Sequence, residues 1–130
     1  MIKKISIPVC MLAALLLFSA CDTPYSDAKK MHRRQKVLLA YQQKAVRDSV
    51  LTDEEINRML EAYKENLGFN RNISMKYKTD TTGMASYMEH LNAMNQNLDE
   101  HYTTVNKKLK ASEGYDEFRK KLLELYFGKQ

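Results

Sequence analysis

His90 and His101 are the residues that first invite a chemical reading. They stand eleven positions apart in one helical stretch. At 1.5 Å per residue this separates them by roughly 16 Å along the axis, too far to share one ion. The sequence has no His-x-x-x-His pair and no cysteine cluster, so no metal site is expected. Glu89, Asp99 and Glu100 have no counterpart at a spacing that would build an acid and base pair, and they read as helix-surface acids. No serine occupies a nucleophile elbow, and no glycine loop is shaped to hold a phosphate. The chain therefore reads as a non-enzyme without a cofactor.

Charge is the stronger signal. Lys29, Lys30, His32, Arg33, Arg34 and Lys36 form the densest basic run. Such a run suits a solvated helix face, a docking patch for an acidic protein, or contact with an anionic leaflet at ~1 kcal/mol per charge. Aromatic residues do not interleave it as a nucleic-acid surface would require. The formal charge is +5. Without residues 1–20, Lys+Arg falls from 21 to 19 against 16 acids, leaving +3, and no nucleic-acid partner follows from so mild a balance. Eight tyrosines and no tryptophan are present. Tyr41, Tyr63, Tyr87, Tyr102, Tyr115 and Tyr126 lie along apolar stripes, where a ring is buried and a hydroxyl stays wet. Any that cluster on an open face become interface anchors.

The elements that position these residues are helical. Four glycines and two prolines in 130 residues leave little material for tight turns. Residues 21–27 read as a short polar tether with Pro24, and Ser26 or Asp27 is expected to cap a helix over 28–51. Thr52-Asp53-Glu54-Glu55 has the form of a capping box. Ile56, Met59, Leu60, Tyr63 and Leu67 continue it on one face, and Gly68 is the expected stop. In 69–78, Ile73, Met75 and Tyr77 alternate with polar residues, which predicts a short extended connector lying on the helices or an edge that pairs with a partner. One of Asp80, Thr81 and Thr82 caps the next helix, expected to run to about residue 111.

That helix carries Met84, Met88, Leu91, Asn95, Leu98, Tyr102, Val105 and Leu109 at alternating steps of four and three, a heptad seam with one polar member. It serves either as an interaction helix or as a core face whose Asn95 meets water or a local partner. Tyr115, Phe118, Leu122, Leu125 and Tyr126 mark a last short helix. The predicted fold is all-α, a small bundle of three to four helices occupying 28–130.

The first residues are of another kind. Lys3 and Lys4 precede a fourteen-residue apolar stretch from Ile5 to Phe18, short of the ~20 residues a bilayer span needs. Phe18-Ser19-Ala20-Cys21 resembles the lipobox of bacterial lipoproteins, with Phe18 where leucine is usual. The resemblance implies a signal peptide over 1–20 and a Cys21 carrying diacylglycerol and a palmitate-type acyl chain. Cys10 leaves with the leader, so Cys21 is the one cysteine of the mature protein, and no disulfide is expected. Two or three acyl chains hold a protein durably where a single chain does not. Asp22 resembles the inner-membrane retention signal of enteric lipoproteins, though other bacterial groups sort differently. Asp48-Ser49-Val50 and Asp80-Thr81-Thr82 resemble the short O-glycosylation pattern of Bacteroidetes envelope proteins.

Together these features imply an envelope lipoprotein, in the inner or outer membrane, with a periplasmic domain. Its expected role is a structural or accessory subunit that binds other envelope proteins or itself, as small lipoproteins do in secretion machines of the type VI kind. The alternatives are a helical module for a small, lipidic or cell-wall ligand, and an inhibitor or immunity lipoprotein.

Overall fold

The capping box at Thr52 forms in full. Its hydroxyl accepts the Glu55 backbone N–H at 3.2 Å, and the Glu55 carboxylate accepts the Thr52 N–H at 3.0 Å. Asp80 likewise accepts the Gly83 N–H at 2.8 Å. In the computed structural model, which describes residues 22–128, these caps open two of four helices. They are α1 (Pro24–Ala45), α2 (Asp53–Lys76), α3 (Thr81–Lys110) and α4 (Tyr115–Phe127). The expected all-α bundle is what forms. The leader and Cys21 lie outside the described residues. Among the described residues no helix is long and apolar enough to cross a membrane.

Several expectations are corrected. Residues 22–27 are not a free tether, because α1 already begins at Pro24. Proline presets φ for the first helical position, and Thr23 rather than Ser26 or Asp27 caps it, accepting the Ser26 N–H at 3.1 Å. The first helix stops at Ala45 instead of continuing to Leu51. Asp48 accepts the Val50 N–H at 3.2 Å, and Ser49 sits at φ 63, so a local side-chain turn replaces the next helical turn.

The predicted extended connector over 69–78 does not exist either, since α2 passes through Gly68 and ends at Lys76. Ile73 and Tyr77 are buried, Phe69 packs beside the same cluster, and Met75 is 75% exposed. The operative pattern is therefore the four-residue step 69, 73, 77 and not the two-residue alternation. A glycine inside a helix costs about 1 kcal/mol, less than three such side chains gain by burial.

Helix α1 packs on both α2 and α3, and α4 packs on α2. The core divides into two clusters. Nearer Asp22, Ala28, Met31, Ile73, Tyr77, Tyr87 and Leu91 pack together. At the far end, Leu39, Ile56, Met59, Leu98, Val105 and Phe118 form a larger cluster. Phe118, 2% exposed, is the one fully buried residue of α4 and fastens it to the bundle.

A polar layer lies between the clusters. His32 Nδ1 meets Asn95 Oδ1 at 2.8 Å. The Asn95 amide donates to Gln35 Oε1, and the Tyr102 hydroxyl donates to the Gln35 carbonyl. At the far end, the Leu51 N–H donates to the Glu113 carbonyl at 2.8 Å, tying the α1–α2 and α3–α4 loops together. Gly114 turns the chain there at φ 89, a left-handed conformation open to glycine.

Candidate functional site

The construction next to Cys21 begins with a buried acid. Asp27 is the only acid of α1 and is 4% exposed. A buried carboxylate needs compensation, and α2 supplies it. The Tyr77 hydroxyl donates to Asp27 Oδ2 at 2.6 Å and Lys76 Nζ reaches the same oxygen at 2.7 Å. Lys76 Nζ also donates to the Asp22 carbonyl at 3.2 Å.

Lys30 lies 3.3 Å from the Asp22 carboxylate, and its hydrogen bond holds that carboxyl below the usual range. Burial, then donation to Asp27, pushes the Tyr77 phenol well above its ordinary value. Tyr77 stacks on Tyr87 with ring centroids 6.3 Å apart. The residue following Cys21 is thus bound to α1 and α2 at once.

From this clamp α1 runs for 22 residues with six cations against Asp27. Elsewhere charge is close to balanced. Helix α2 holds five acids and four cations, and α3 and α4 each hold three of both. The net charge of the domain is therefore concentrated in one helix. The structure divides the six basic residues of the predicted run. Lys30 is engaged with Asp22. Arg34 lies 3.9 Å from Glu65 and 5.0 Å above the Phe69 ring. His32 belongs to the polar layer. Lys29, Arg33 and Lys36 are exposed and make no ion pair among the described residues. Tyr25, Val37, Ala40 and Lys44 are exposed on the same helix.

The heptad seam is occupied inside the domain. Leu91, Leu98, Val105 and Leu109 are buried, Met84, Asn95 and Tyr102 are half-buried, and Met88, 46% exposed, is the most open member. The core-face alternative describes this helix, and Asn95 finds its local partners in His32 and Gln35. A partner meeting α3 would reach Met88 and the outward side chains, not the seam.

His90 packs edge-on against Tyr25 at 5.2 Å, and His101 is exposed. Among the described residues no three of His, Cys, Asp and Glu gather as a metal site would require. Tyr63, Tyr77, Tyr87, Tyr102 and Tyr115 are core or core-edge residues. The open aromatic cluster is at the end of α4, where Leu123, Tyr126 and Phe127 are 43%, 45% and 77% exposed.

Shallow depressions mark the surface, and two of them border residues discussed above. One, of about 500 Å³, lies along α4 beside Arg119, Lys120, Leu123 and Phe127. The other, of about 200 Å³, runs between α1 and α2 beside Arg33, Val37, Ala62 and Asn66. Both open to solvent. No protein-family model, curated protein or solved structure matches this chain.

The clamp is what sequence reasoning missed. An aspartate at a helix start reads as a cap, its common use there, and Asp27 fits that reading. The contrary signal is its place: four residues before Met31, on the face that goes inward. The partners, Lys76 and Tyr77, lie some 50 positions away in a segment whose alternation reads as extended, so the pair is not visible as a pair.

Proposed function

We infer that the chain is a lipid-anchored, non-enzymatic subunit of a bacterial cell envelope, which holds other envelope proteins close to the membrane. The observation that carries this reading is the join between the lipobox-like segment and the bundle. Helix α1 starts three residues after Cys21, and Asp22 is held by Lys30 and Lys76. An acyl anchor on Cys21 would meet a rigid body with almost no slack, which suits a scaffold that fixes a partner's position. The α4 tip supports the partner half of the reading, because Tyr126 and Phe127, exposed beside Leu123, are aromatic residues of the kind enriched at interfaces.

Growth of the source cells with an alkyne-tagged palmitate tests the anchor. The mature protein is expected to take up the label, and Cys21→Ser to lose it. Absence of label in the unaltered protein would refute the lipoprotein reading. A photo-crosslinker at position 127 tests the partner face. Adducts at defined masses that vanish on Leu123→Asp are expected, and an adduct pattern unchanged by that substitution would refute the role of α4.

A further inference from the structure

The positions 25, 29, 33, 36, 40 and 44 advance by steps of four, four, three, four and four, which places them on one face of a helix. They are Tyr25, Lys29, Arg33, Lys36, Ala40 and Lys44, and all six are exposed. The face spans five turns, roughly 30 Å at the helical rise. It contains no acid, and its four cations make no ion pair among the described residues. Val37, 48% exposed, borders it. The remaining helices are nearly neutral, so the net positive charge of the helices lies in α1, and four of its six cations are on this stripe. It also starts four residues from Cys21, and the Asp27, Lys76 and Tyr77 contacts keep α1 from swinging independently of the bundle.

We propose that the outer face of α1 lies flat on the anionic phospholipid surface that holds the acyl anchor. The inference rests on the lipid-anchored reading and adds a second attachment, which sets the orientation of the domain. The occupant is a bilayer because of charge complementarity and because of where the preceding chain arrives. A long basic stripe with Ala40 between its cations and Val37 at its border, beginning beside a lipid attachment point, combines acyl and polybasic signals. Lysine and arginine stems can lie along the headgroup layer while their charges stay at the phosphates. With α1 down, its inward face and the helices packed on it point away from the lipid. Helix α4 packs on α2 and contributes nothing to the stripe, so Leu123 and Phe127 remain open to a protein partner.

The absence of tryptophan makes the test direct. Ala40→Trp places one fluorophore on the stripe, and Leu123→Trp places one on α4. Each full-length protein is processed in cells, purified, checked for acyl mass, and reconstituted into phosphatidylcholine vesicles with or without phosphatidylglycerol, their chains brominated. The indole of Ala40→Trp is expected to shift to the blue and be quenched on the phosphatidylglycerol vesicles, while that of Leu123→Trp stays in water. Changing Lys29, Arg33 and Lys36 to Gln should weaken that insertion about fivefold per charge removed. Acylated Ala40→Trp and Leu123→Trp proteins that behave alike on anionic vesicles overturn the flat orientation and leave the anchor standing. A processed protein without acyl mass overturns the anchor and the proposal with it.

Discussion

Asp27 shows how one residue can carry more than its position suggests. Its carboxylate is buried, and Lys76 and Tyr77 at the end of α2 satisfy it as donors. Removing a buried acceptor leaves its donors without a partner, and Lys76 would then face an apolar cluster with its charge only partly in water. Asp27→Ala is expected to lower the unfolding free energy by about 2 kcal/mol in denaturant titration. Lys30→Ala removes only the exposed pair with Asp22 and should cost less than about 1 kcal/mol. If the two substitutions cost the same, the clamp does not hold this end together. The stripe residues differ in kind. Lys29, Arg33 and Lys36 make no ion pair among the described residues, so their replacement is expected to leave the fold as it is.

At the scale of elements, α2 is the instructive case. Gly68 sits in its middle with negative φ, and a Cβ built there meets nothing within 4 Å. The helix continues because Phe69, Ile73 and Tyr77 share a face that the core cluster nearer Asp22 receives. Glycine at this site carries only an entropic cost, so Gly68→Ala should raise stability by about 1 kcal/mol and leave the helical circular dichroism signal unchanged or slightly larger. A loss of stability would mean that the segment after Gly68 is not helical. Much of this element was legible in advance. The capping box, the acidic first turn and the face through Tyr63 all follow from local spacing. Its last two turns were not legible, because Ile73, Met75 and Tyr77 satisfy a strand pattern as well as 69, 73 and 77 satisfy a helix. Only α1 and α3 on one side and solvent on the other distinguish them.

For the whole molecule, the tyrosines set the response to alkali. Burial pushes the phenols of Tyr63 and Tyr102 up to about 12, and Tyr77, Tyr87 and Tyr126 are raised as well. The folded state therefore holds these groups neutral at a pH where an unfolded chain, with phenols near ~10, begins to ionise them. Their contribution to stability is complete below pH ~10 and is lost as the pH rises toward about 12. Denaturant midpoints should stay level up to pH ~10 and then fall, with tyrosinate absorbance of the folded protein appearing late. An absorbance titration with all phenols ionising near pH ~10 would contradict the buried placement.

The sequence by itself determined the helical class, the capping box at Thr52, the seam of α3 and the crowding of positive charge near Cys21, and it narrowed the bundle to three or four helices. These depend on neighbours one to four residues apart, and such contacts are written in spacing. The lipobox resemblance is equally local. Tertiary structure decided that the seam of α3 faces α1, that Asn95 meets His32 and Gln35, and that Asp27 is a buried anchor rather than a cap. It also decided which cations remain free. Lys30 and Arg34 look like Lys29 and Arg33 in the sequence, yet one step of about 100° turns them toward Asp22 and Glu65. That difference depends on which side chains another part of the chain brings near, and no local pattern contains it.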